Sequence, residues 1–198
     1  NLYFVIFKKN APSLHLLGTV NKKNIYTIRE DSLVSLALDT LGFLLWTRKN
    51  KIDTVIDLEL FSRFTALLTG LSGAQRRIGY HAFHNEGLYR GSLLTHEVAY
   101  NSHIHIAKNF IALVNAAYSE IKEIPYSKTL IEDDEIVLAK ASISEVDKEN
   151  IQQHVKSVYT GYDKNKQRIV LINPNASELL IQRRWMPEKY IELMKRIL

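Results

Sequence analysis

The chain has 198 residues, of which 46% are hydrophobic and 24% charged, the proportions of a globular protein rather than a disordered one. It contains no cysteine, which excludes a disulfide scaffold, a thiolate zinc site and a cysteine nucleophile. The net charge of +5 is unevenly placed: residues 119–150 carry nine acids against four lysines, and residues 164–198 carry eight bases against three glutamates. Such asymmetry points to an anionic ligand near the C-terminal part, with a solvated basic surface as the plain alternative. No nucleic-acid-binding motif accompanies the basic residues, so no nucleic-acid partner is expected.

Residues 2–7 (LYFVIF) are a continuous apolar run, as for a strand buried on both faces. The chain opens on this strand without an initiator Met, so it is expected to be a piece of a longer protein. Residues 24–28 read as a second short strand. Asp31 or Ser32 can cap a helix that runs to about Arg48, with Leu33, Leu36, Leu38, Leu41, Leu44 and Leu45 on a wide apolar face. The apolar stretch 33–46 inside it is interrupted by Asp39 and falls short of the roughly 20 residues that span a bilayer. Residues 54–58 (TVIDL) are again a β-branched run. Residues 62–71 read as a helix closed by Gly70 and Gly73, 77–80 and 93–99 as short strands, and 104–118 as a strong helix.

The acidic stretch 119–135 contains Pro125 and has weak periodicity, which makes it a linker. Ser144 starts a polar helix to about Val158, and 161–165 (GYDKN) is a turn. Residues 168–172 (RIVLI) read as a buried strand, followed by a loop over 173–185. Pro187 opens a final helix at its favoured first-turn position. Strands alternating with helices imply parallel βαβ units in an open sheet. The expected organisation is a partial Rossmann-like domain over 1–125, then a linker and the start of a second α/β domain over 126–198.

The segment 168–198 carries the most chemical information. A strand there would deliver a loop of small residues (Asn175, Ala176, Ser177), then Arg183, Arg184, Trp185 and a helix. In open α/β sheets ligands collect at the carboxyl ends of strands. Backbone N–H groups and a serine hydroxyl can hold phosphate oxygens there, and an arginine can bind them through two parallel bonds. An ordinary βα loop with exposed arginines and Trp185 as a lid satisfies the same spacing.

This segment resembles the start of the C-terminal domain of the heptosyltransferase family, glycosyltransferase family nine, at Pro174, Asn175, Ala176, Ser177, Arg183, Trp185, Pro187 and Glu188. Two further stretches resemble the N-terminal domain of that family in the same order. One runs from Ile52 to Leu58, through Ser62 and Arg63, to Gly73-Ala74-Gln75-Arg76-Arg77-Ile78-Gly79-Tyr80; the other is the helix led by His105 with Ala107, Leu113 and Ala117. The resemblance covers about residues 50–198. The chain departs from the pattern at Asn175, where the family often has Gly, by two extra residues before Arg183, and by Met186 between Trp185 and Pro187.

The resemblance implies a GT-B architecture, two Rossmann-like domains facing a cleft, with a nucleotide-diphosphate sugar held by the C-terminal domain. It implies inverting transfer of a sugar, often heptose, to a lipopolysaccharide-core acceptor, lipid-linked or oligosaccharide. Asn175, Ala176, Ser177 and Arg183 would hold the donor; Arg63, Asp57 and His105 would lie on the acceptor side. The Gly-Asp turn that supplies the family's base is not found, so the catalytic base is unassigned and these 198 residues alone are expected to be inactive. A cytoplasmic location is expected, with peripheral contact at the inner membrane.

Other chemistry is poorly supported. Asp53 and Asp57 share a strand face but stand about 13 Å apart at ~3.3 Å per residue, too far for one catalytic pair. Asp57, at a strand end, suits either loop capping or acceptor contact. The pairs His81/His84 and His103/His105 lack a carboxylate pattern, so no metal is expected. Walker loop, GxGxxG fingerprint and nucleophile elbow are all absent, so no cofactor is expected either. From outside the transferase class, the rival is a non-catalytic α/β module, or a degenerate family member, that binds an anionic partner.

Overall fold

The computed structural model describes residues 1–82, 90–119, 130–174 and 184–198. The chain divides into two compact units, Asn1–Ser142 and Ile143–Leu198.

The first unit is mixed α/β with all strand pairs parallel, in two small sheets. Strand β1 (Phe4–Phe7) leads through helix α1 (Ala11–Leu17) to β2 (Ile25–Ile28), and the two strands pair in register Phe4 with Ile25 through Phe7 with Ile28. Helix α1 lies outside the elements read from the sequence. Its signals are Pro12 in the first turn and Gly18 in the left-handed conformation (φ 63°) that closes its C-terminus. Helix α2 (Leu33–Lys49) starts where Ser32 Oγ accepts from the Ser35 N–H at 3.1 Å.

The second sheet follows: β3 (Thr54–Asp57), helix α3 (Arg63–Leu71), β4 (Arg76–His81) and β5 (His96–Ala99), in the order β3-β4-β5. Helix α4 (Ile106–Tyr118) follows β5. Alternation within the strands decides the faces. Ile78, Tyr80 and Val98 turn toward α4 and form a core with Leu113 and Ala116, backed by Ile56 and Phe110. A second cluster joins Ile28, Phe43 and Leu68, with Phe7 stacked on Phe64 at 6.2 Å between ring centroids. The expected parallel βαβ character is thus present, in two small sheets rather than one open sheet.

Two expectations are overturned. Of the leucines assigned to the apolar face of α2, Leu36 and Leu44 pack inward, while Leu33, Leu38, Leu41 and Leu45 are exposed. The helix is apolar on nearly every side, so one stripe suffices for the sheet and the others are left over. Residues 168–172 are not a strand, and Ile169, Val170 and Leu171 are exposed. A strand needs a neighbour to receive its backbone N–H and C=O groups, and the described part of the second unit contains no other. Its described residues form α5 (Glu145–Val158), capped by Ser144 as expected, a turn at 159–167, and α6 (Pro187–Ile197). None of its described residues is buried.

Candidate functional site

The β3–α3 and β5–α4 connections leave the second sheet from its carboxyl edge, which places Asp57, Arg63 and His105 at that edge. Asp57 ends β3. The register sets it beside Gly79, which in turn lies beside Glu97, so both carboxylates occupy the face turned away from α4. Gly79 is tightly covered: a Cβ there would lie 3.1 Å from a Leu94 methyl and 3.4 Å from Asp57 Cβ.

Asp57 is buried together with Arg90, which reaches it from the chain segment before β5. Arg90 Nη2 donates to Asp57 Oδ2 and, at 3.0 Å, to Thr65 Oγ1; its Nε donates to Ser62 O at 3.0 Å and its Nη1 to Glu59 O. Four of the five guanidinium N–H groups are therefore engaged. Asp57 Oδ1 accepts from the Glu59 N–H at 3.0 Å, the loop-capping geometry open to an aspartate at a strand end. Burial pushes the Asp57 carboxyl above its ordinary pKa, and the positive charge of Arg90 opposes that push. This network fixes the loop between β3 and α3 in one shape.

Arg63 is the first residue of α3, after the Ser62 cap, whose Oγ accepts from the Thr65 N–H at 3.1 Å. It lines an open cavity of about 510 Å³ together with Leu67, Arg90, Gly91 and Leu93. Gly91 takes φ 82°, the left-handed conformation that lets the chain turn directly after Arg90. Arg77 holds the far wall, donating from Nε to Leu93 O and from Nη1 to Ala74 O.

Of the residues expected on the acceptor side, Arg63 lines this cavity and Asp57 stands behind it, joined to Arg90. His105 is the exposed N-cap of α4, with Nδ1 accepting from the Ala107 N–H at 3.2 Å; it is absent from the cavity wall. Asn175, Ala176, Ser177 and Arg183, the expected donor residues, lie outside the described residues. Their neighbours Pro174, Arg184, Trp185, Pro187, Tyr190, Ile191 and Met194 line a second open cavity of about 420 Å³, with the Trp185 and Tyr190 rings 5.6 Å apart.

Arg90 is the member of the site that sequence reading misses. It sits in no motif and its partner is 33 positions away. The available signal was general: a carboxylate ending an apolar strand needs a countercharge if it is buried. Comparisons with family models, with curated proteins and with solved structures returned no match for this chain.

Proposed function

We propose that the chain is the acceptor-side part and the beginning of the donor-side part of an inverting sugar transferase of GT-B type. It would move a sugar, heptose by resemblance, from a nucleoside diphosphate to a lipopolysaccharide-core acceptor. The observation that carries the acceptor half is the cavity beside α3, with Arg63, the first residue of that helix, in its wall. The exposed guanidinium of Arg63 at the start of α3 favours an anionic ligand, which suits the acidic groups of such an acceptor, while Arg90 is buried and paired with Asp57. The donor half rests on the resemblance at Asn175, Ala176, Ser177 and Arg183.

In the proposed reaction an acceptor hydroxyl attacks the anomeric carbon, the bond to the diphosphate breaks, and the nucleoside diphosphate leaves. The acceptor proton needs a base and the diphosphate needs positive charge. Arg63 would meet the acceptor directly. Asp57 serves as a positioning residue, since its carboxylate acts through Arg90 rather than on the acceptor. His105 stands at the same edge without an assigned step, and no residue is assigned as base.

A phosphate-bearing core oligosaccharide titrated into the chain should bind. Arg63→Ala should weaken binding about tenfold or more, the loss of one charge-assisted contact. Equal binding by the variant would remove Arg63 from the acceptor site.

A second reading has its own observation. Residues 168–172 form no strand, so the donor loop has no sheet beneath it in the described chain. That favours a non-catalytic module that docks an anionic partner through its basic residues. Such binding would depend steeply on salt and show no preference among nucleotides.

A further inference from the structure

The outward side of α2 has no counterpart in the sugar-transfer chemistry. Val34, Leu38, Leu41 and Leu45 are each 59–70% exposed, at the spacing that aligns side chains along one side of a helix. Ala37 lies in the same face and is exposed as well. The opposite side of the helix already packs on the first sheet through Phe43, Leu36, Leu44 and Trp46. Asp39, the acid within this stretch, is held by Arg29, whose Nη2 lies 2.7 Å from Asp39 Oδ1. One turn beyond Leu45 the same face ends in exposed Arg48 and Lys49, followed by exposed Lys51. Neither lysine has an ion-pair partner among the described residues. Flanking the helix in sequence are exposed Glu30 and Asp31 before its start and exposed Asp53, two residues after Lys51.

We propose that this face of α2 docks on an anionic lipid surface, with Val34, Leu38, Leu41 and Leu45 entering the headgroup–acyl boundary and Arg48, Lys49 and Lys51 meeting lipid phosphates. An uncharged apolar stripe that ends in unpaired cations matches the interfacial helices of peripheral membrane proteins. No described helix is long and apolar enough to cross a membrane, so α2 would lie on the surface. A second copy of the chain fits less well. The stripe covers eleven residue steps, about 17 Å of helix at 1.5 Å per residue, a small part of a standard protein interface. Apposed copies would also face basic ends or bring them near acids at the cost of the apolar overlap.

The proposal names a surface for the peripheral membrane contact that the family resemblance implies, and in that respect rests on the transfer reading. Lipid binding is measured without any sugar donor or acceptor, so its failure is distinguishable from failure of the transfer reading. The full chain is sedimented with vesicles of phosphatidylcholine containing a minor fraction of phosphatidylglycerol, with phosphatidylcholine vesicles as control. The wild type should pellet with the anionic vesicles. Leu38→Glu/Leu41→Glu should reduce binding at least about a hundredfold, about tenfold for each leucine kept out of the lipid. Lys49→Glu/Lys51→Glu should reduce it on anionic vesicles alone. All substituted side chains are exposed, and circular dichroism checks that each variant remains folded. The proposal is overturned if the wild type does not pellet, if the leucine variant pellets equally, or if both vesicle types are bound alike. It is also overturned if the wild type is a dimer that the leucine variant dissociates with no change in lipid binding.

Discussion

A carboxylate withdrawn from water is tolerable beside a countercharge, and Asp57 has Arg90. The side chains of the pair are 3% and 1% exposed. Removing one partner leaves the other buried and uncompensated, so Asp57→Ala or Arg90→Ala should each cost about 3–5 kcal/mol in denaturant unfolding. Replacing both, as Asp57→Leu/Arg90→Met, should cost less than either single change, because no buried charge remains. A double variant as unstable as the sum of the singles would show that the pair is not one unit. The half-buried acid Asp39 behaves differently. The hydrogen bond and charge of Arg29 hold its carboxyl down at about 2. A depressed folded pKa contributes stability at neutral pH that is lost as pH falls through about 4 toward about 2. The melting temperatures of wild type and Asp39→Asn should therefore differ at neutral pH and converge near pH 2; a constant difference would contradict this assignment. At this scale the sequence was readable where a residue acts on its immediate neighbours, as with the Ser144 cap and with Ser32, one of the two caps read for α2. It was opaque for Arg90, because contact across 33 positions leaves no local pattern.

Among the elements, short segments between turn residues, apolar at 2–7 and β-branched at 54–58, marked β1 to β5 to within a few residues, since short parallel strands require little more. Residues 168–172 carry the same composition and form no strand, because pairing is a property of two segments and composition belongs to one. Helix α2 failed in the complementary way. Its length and cap were readable, but a helix apolar on all sides does not say which stripe faces the sheet. Helix α3 illustrates a constraint that only packing reveals. Gly70 was read as a terminator and lies inside the helix, where a Cβ would approach Leu93 Cδ1 to 2.6 Å and its Cβ and Cγ to 3.0 Å. Gly70→Ala gains about 1 kcal/mol of helix propensity. It must also push Leu93, a wall of the Arg63 cavity, off its position, at a cost of about 1–3 kcal/mol. The variant is expected to be less stable and to bind the acceptor more weakly. A gain in melting temperature would show that Leu93 yields freely.

Across the whole molecule the two units differ in kind. The first owns two hydrophobic clusters, and the second has no buried residue among those described. Burial sets how far local opening falls below global unfolding. Amides of α5 and α6 should therefore exchange faster than those of α4 by on the order of a hundredfold or more. Comparable protection in all three helices would contradict this account of the second unit. For the proposed function, Arg63 lines the cavity assigned to the acceptor, while the proposed donor residues rest on the motif alone. Titration of the chain with nucleoside diphosphates, followed by calorimetry, bears on that half most directly. Sugar transfer requires one nucleoside diphosphate to bind in preference to the others and to inorganic pyrophosphate, with affinity lowered about tenfold or more by Arg183→Ala. Indiscriminate binding that disappears with added salt, or binding that Arg183→Ala leaves unchanged, would contradict a donor site at this loop.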